Sequence, residues 1–289
     1  MSAPAPAGLL RTLLVLGRVS NVPTVWSNCL AGWLLGGGGD PNLLTLLCLG
    51  ATLVYVGGMF LNDAFDAEFD RQHRAERPIP SGAITEAEVW RWGLGLLGGG
   101  TLVLIFFGTI TGVLAVLLLV AVLVYDALHK HVSFSPVLMA ACRFLLYLVA
   151  ASTGSAGVTG LAVWGAFALA AYIIGLSYIA RRESTAGVIR FWPALFLASP
   201  IALALLVNAG PHQQSAGLVS LILGLWMLRS LRWTFWSAER QVGRTVSGLL
   251  AGIVFVDLLA VATVPPGTGV VFLILFGGAL IFQRIVPAT

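Results

Sequence analysis

Apolar runs of roughly twenty residues recur from one end of this chain to the other, and that spacing restricts the fold most. A helix needs roughly 20 apolar residues to cross about 30 Å of hydrocarbon, and inside lipid its backbone groups must be satisfied within the segment. Runs at 12–36, 43–63, 89–108, 111–126, 136–153, 161–180, 190–208, 217–235, 246–263 and 269–285 predict ten such segments. Of the 289 residues, 58% are hydrophobic and 10% charged, whereas a soluble domain carries about 25% charge. The expected architecture is all-α: a polytopic membrane helical bundle, with 1–289 as one domain.

"MSAPAPAG" lacks a basic start and reads as a short lead rather than a cleaved signal. Cys29, Cys48 and Cys142 stand singly in apolar runs, without the spacing of a disulfide frame or a zinc site. The glycines of "GLGLLGGG" (93–100) lie inside a span, and no Lys-Ser or Lys-Thr follows them. They predict close helix packing rather than a phosphate loop.

Lys and Arg lie in or near alternate connections and at the termini, toward one end of the spans. The intervening connections, near 37–42, 109–110, 154–160, 209–216 and 264–268, contain neither. Basic connections face the cytoplasm, so both termini and the basic loops are expected on that side of a bacterial-type inner membrane. Topology accounts for the net charge of +4, and no nucleic-acid partner is expected.

One stretch departs from the apolar pattern: "FLNDAFDAEFDRQHRAERPIPSG", residues 60–82. Asn62, Asp66 and Asp70 follow in steps of four, which keeps them on one helical stripe that drifts by about 40° per step. A stripe of oxygen donors suits Mg2+, which takes one or two carboxylates together with substrate phosphates. Asp63 sits about 100° round from Asn62. The arginines that follow match the geometry of phosphate oxygens.

"NDAFDAEFD" resembles the first Asp-rich motif of the UbiA superfamily of intramembrane prenyltransferases. "RPIPSG" (77–82) and "GRVSNVPTVWSN" (17–28) are also similar to that family. The resemblance implies a UbiA-like bundle of nine to ten helices around a central cavity open to the cytoplasmic face. It also implies Mg2+-dependent transfer of a prenyl group from a prenyl diphosphate to a small aromatic or lipid-like acceptor. Metal ligands would be Asn62, Asp66, Asp70 and Glu183, with Asp66, Asp70 and Arg181 in the chemistry. Arg77, Lys130, Arg143 and Arg181 would bind diphosphate, and Asn21, Asp63, Tyr147 and Tyr178 would line the substrate pocket. Each has a plainer reading: topology for Lys130, helix-to-helix hydrogen bonding for Asn21, packing for the tyrosines. A buried arginine such as Arg143 needs an anionic partner, which diphosphate or a motif acid would supply. His129 and His131 read as surface residues, and Asp257 as a structural pairing in a late span.

The second half departs from the family pattern. "GLSYIARRESTAG" (175–187) carries Arg181 and Arg182 where aspartates are expected, and only Glu183 is acidic. The "ARRES" form resembles a divergent, EboC-like branch. Either an arginine replaces part of a second cation, or only isoprenoid or lipid binding and transport remain; a juxtamembrane topology signal is the plainer reading of the two arginines. A CDP-alcohol phosphotransferase fits less well, because Ala67 stands where its motif has glycine and no later paired acids follow.

Overall fold

The computed structural model describes residues 8–181, 192–207, 213–261 and 266–287. Among them every regular element is helical. The helices are α1 (Leu9–Leu16), α2 (Val22–Leu35), α3 (Pro41–Phe65), α4 (Ala67–His73), α5 (Glu86–Ile105), α6 (Thr109–Leu128) and α7 (Ser135–Ser152). They continue with α8 (Gly160–Ala180), α9 (Pro193–Val207), α10 (Gln213–Phe235), α11 (Val242–Ala260) and α12 (Pro266–Ile285). Seven of these, α3, α6, α7, α8, α10, α11 and most of α12, are long and apolar enough to cross a membrane. α5 begins with Glu86, Glu88 and Arg91, and α2 has 14 residues, about 21 Å of rise.

The expected span 12–36 is divided. After Gly17, Arg18 takes a left-handed conformation (φ 41°, ψ 47°), and a single 3-10 turn, Val19–Asn21, leads into α2. Such a conformation costs an L-residue with a Cβ roughly 1–2 kcal/mol. Its side-chain contacts, described below, hold it there.

α3 and α5 run antiparallel with their backbones almost touching. A Cβ added at Gly57 would lie 2.5 Å from the Leu97 nitrogen, and one at Gly100 would lie 2.7 Å from the Gly50 carbonyl oxygen. Gly93 receives the Leu61 side chain in the same way. Without water to drive association, contact of this kind is what holds membrane helices together. Gly95, Gly98 and Gly99 meet nothing within 4 Å, so the 93–100 run packs through its two end glycines. Gly57→Val should therefore lower stability by about 1–3 kcal/mol through overpacking. Gly95→Ala should be neutral or stabilising by up to about 1 kcal/mol. Thermal unfolding in detergent would check both.

α6 returns after a tight turn and runs parallel to α3 in fixed register. A Cβ at Gly58 would meet Val122, Asn62 faces Asp126 and Asp66 faces Lys130. The loop after α4 folds back so that Ile79 and Ile84 pack with Leu16, Phe60, Ala64, Ala67 and Val89. A capping box between Thr85 and Glu88 then opens α5.

Candidate functional site

The acid stripe lies where α3 gives way to α4. Asp66 is the joint, yet the i→i−4 ladder passes through it: Asp66 N donates to Asn62 O (3.0 Å), and Asp70 N to Asp66 O (2.9 Å). The three side chains therefore keep the common face that their spacing predicts. Asn62, Asp66 and Asp70 are 5%, 8% and 2% exposed.

Buried carboxylates need partners, and the chain supplies cations from three directions. Lys130 Nζ lies 2.8 Å from Asp66 Oδ1, with His129 Nε2 at 3.4 Å from the same oxygen. The Lys130 ammonium also sits 3.9 Å above the Phe69 ring. Arg77, in the returning loop, donates to Asp63 Oδ1 at 3.1 Å. Arg18 reaches both Asp63 Oδ1 and Asn62 Oδ1 at 3.4 Å. Asp63, expected in the substrate pocket, is thus the anchor of two guanidinium groups. Asn62 Nδ2 donates to Asp126 Oδ1 at 3.2 Å.

Two carboxylates of this cluster remain incompletely satisfied. Asp70 Oδ1 and Asp126 Oδ2 are buried without a hydrogen-bond partner. Among the described residues no three His, Cys, Asp or Glu side chains are grouped closely enough to hold an ion unaided. Mg2+ does not need such a cage, because substrate phosphates complete its shell. The unsatisfied oxygens and the hard donor set fit that ion.

Burial raises the Asp66 carboxyl, but His129 and Lys130 outweigh burial and hold it below its ordinary value. Burial depresses His129, and Asp66 more than reverses this, leaving the imidazole above its usual value. Burial also lifts Asp70, with Arg77 opposing. His129 therefore contributes stability that is complete below its unfolded pKa and fades as pH rises through the raised folded value. Asp66 contributes stability that is present above its unfolded pKa and fades as pH falls through its lowered value. In Mg2+-free detergent, His129→Ala should remove the alkaline decline of thermal stability attributable to the pair. The acid decline should persist, since Lys130 still holds Asp66.

Other expected site residues lie elsewhere. Arg181 Nη1 donates to the carbonyls of Ser133 (2.6 Å) and Val132 (3.2 Å), across the loop that follows Lys130. Arg143 sits deeper, donating to Asn28 Oδ1 (2.7 Å) and Thr24 Oγ1 (3.3 Å) on α2. Asn28 Nδ2 in turn donates to Asp257 Oδ2 on α11 (2.7 Å), which also accepts from Ser27. Arg143 and Asp257 are thus linked through the Asn28 amide, and Asp257 keeps Oδ1 without a hydrogen-bond partner. Tyr147 is fully buried, its hydroxyl close to Gly165 of α8. Asn21 is buried beside Tyr55. Tyr178 packs edge-on against Trp192 at 4.3 Å. Glu183 and Arg182 lie outside the described residues.

Sequence reasoning missed Arg18, Asp126 and His129. His129, expected at the surface, faces Asp66. Asp126 had a usable signal, since an acid inside an apolar span marks function by default. A groove of about 600 Å3 lined by residues such as Ile105, Thr109 and Val113 lies at the opposite end of α5 and α6, away from the acids.

The family model described as "UbiA prenyltransferase family" matches residues 22–247. A digeranylgeranylglyceryl phosphate synthase of Metallosphaera sedula is 37% identical over 86 residues, 30% of either chain. That of Thermococcus kodakarensis is 30% identical over 160 residues, 52% of this chain and 56% of its own. The chain thus spans about a third to just over half the length of these relatives. A structure of a UbiA homolog from Archaeoglobus fulgidus bound to GPP and Mg2+ shares the fold (TM-score 0.53, 15% identity), covering 95% of this chain and 99% of that one. A structure described as concerning digeranylgeranylglyceryl phosphate synthase in membranes does so at TM-score 0.57 and 18% identity, over 95% and 100%.

Proposed function

We propose that this chain, which belongs to the UbiA prenyltransferase family, transfers a prenyl group from a prenyl diphosphate to a small aromatic or lipid-like acceptor, releasing diphosphate. The observation that carries this reading is the buried Asn62–Asp66–Asp70 stripe, with chain cations placed against it at 2.8–3.4 Å. Mg2+, when bound, would neutralise charge developing on the departing diphosphate. The rest falls to the protein. Asp66 and Asp70 would hold the ion, helped by the amide oxygen of Asn62. Arg18 and Arg77 are fixed by Asp63 and keep further N–H donors for phosphate oxygens. Lys130 lies on the same side and can exchange Asp66 for a diphosphate oxygen. An apolar membrane interior beside the acids would exclude the water that otherwise captures an allylic cation.

We place this site at the cytoplasmic end of a ten-helix membrane bundle comprising α2, α3 and α5–α12, because the basic connections gather there. The relatives' names make a glyceryl phosphate lipid the first acceptor to assay. The Lys130 and His129 contacts to Asp66 favour a second reading, in which the acids are neutralised permanently and the chain binds or moves isoprenoid lipid without chemistry. Purified protein should be incubated with Mg2+ and prenyl diphosphates of several lengths, with diphosphate measured and extracted lipids examined by mass spectrometry. Metal-dependent diphosphate release is the expected result. Donor binding without release from any donor would establish the second reading instead.

A further inference from the structure

We infer that Asp126 is a further cation-binding residue of this site, supplying from α6 a carboxylate that belongs to neither Asp-rich motif. The inference rests on the metal reading of the acid stripe and extends it to a residue outside that motif.

The parallel register of α3 and α6 sets two rungs one helical turn apart, about 6 Å of rise. Asn62 pairs with Asp126 on one, and Asp66 pairs with Lys130 and His129 on the next. Asp126 is 3% exposed. Its Oδ1 accepts from Asn62 while its Oδ2 has no partner. Leaving a buried carboxylate oxygen unpaired costs more than leaving a neutral group so, and an ion is one of the established reasons for such an exception.

The distribution of charge around it points the same way. Asp63 takes Arg18 and Arg77, and Asp66 takes Lys130 and His129. Within this cluster the unsatisfied oxygens belong to Asp70, one turn beyond Asp66, and to Asp126, one rung before it; a third, Asp257 Oδ1, lies apart in the Arg143 network. They flank Asp66 on two different elements. In the sequence, Arg181 and Arg182 occupy the ground where a second pair of acids is expected. A carboxylate from α6 adds negative charge facing the stripe.

The test separates charge from position. Asp126→Asn keeps an acceptor for Asn62 Nδ2 and removes the charge. Mn2+ affinity in the presence of inorganic pyrophosphate, read by the EPR signal of unbound Mn2+, should weaken at least about 10-fold in that variant, as on loss of a group supporting a metal site. Asp126→Glu should retain more affinity than Asp126→Asn. Parent-like affinity in Asp126→Asn, with affinity lost in Asp66→Asn, overturns the role of Asp126 and leaves the stripe intact. Parent-like affinity in both overturns the metal reading itself. Should Asp126→Asn fail to fold, the parent chain answers: dicyclohexylcarbodiimide labelling of Asp126, read by peptide mass spectrometry, should fall when Mg2+ and pyrophosphate are added. Labelling unchanged by them overturns the inference.

Discussion

Asp66→Ala should lower Mg2+-dependent diphosphate release by about 10²–10³-fold, the range for removing one group that stabilises transition-state charge. The protein should remain folded in the membrane, because the i→i−4 ladder at the α3–α4 joint is made by backbone. The variant also strands Lys130 and His129, which lose the oxygen they share. Donor affinity in the absence of metal should therefore fall much less than turnover, since two cations remain beside the diphosphate. Steady-state release together with donor binding by calorimetry would separate the effects. Unchanged release in Asp66→Ala would remove Asp66 from the metal site and leave the fold assignment untouched.

The second large effect concerns stability. Arg143→Ala should destabilise the protein by about 1–3 kcal/mol for each buried oxygen it strands, Asn28 Oδ1 and Thr24 Oγ1. The network joins α7 to α2 and α11: Arg143 holds Thr24 and Asn28, and Asn28 holds Asp257. Because the two arms of the guanidinium reach different residues, Arg143→Lys should recover only part of the loss. A double variant, Arg143→Met with Asp257→Leu, removes both charges and should be more stable than Arg143→Ala alone. Unfolding in detergent would rank the four proteins. A stability loss of this size, with diphosphate affinity kept, would assign Arg143 to the scaffold; lost affinity at parent-like stability would return it to the donor site.

What could be read from the sequence was what periodicity encodes. Asn62, Asp66 and Asp70 are four apart, and that interval alone puts them on one face, even though α3 ends at Phe65 and α4 begins at Ala67. The apolar runs located the helices, but not the break at Arg18, where one residue takes an unusual conformation inside an otherwise helical pattern. Similarly, "GLGLLGGG" announced close packing but not which glycines make it. The partners of the acids were harder to see. Asp126 and Lys130 reach the stripe from 64 residues away, and Arg18 reaches it from 44. No local pattern reports the register between two parallel helices. Nor does hydropathy distinguish a basic residue that marks topology from one that neutralises an acid, because both sit at the same end of a span.

The ammonium of Lys130 leaves Asp66 already neutralised at rest. A bare divalent ion approaching Asp66 must evict a bound cation and give up its own hydration shell, with nothing to accept the displaced charge. An ion already chelated by a diphosphate brings a fresh anion for that ammonium as it arrives. On the metal reading, an order of addition follows from this exchange: metal and donor should load together as a complex, and raising free Mg2+ without donor should do little to fill the site.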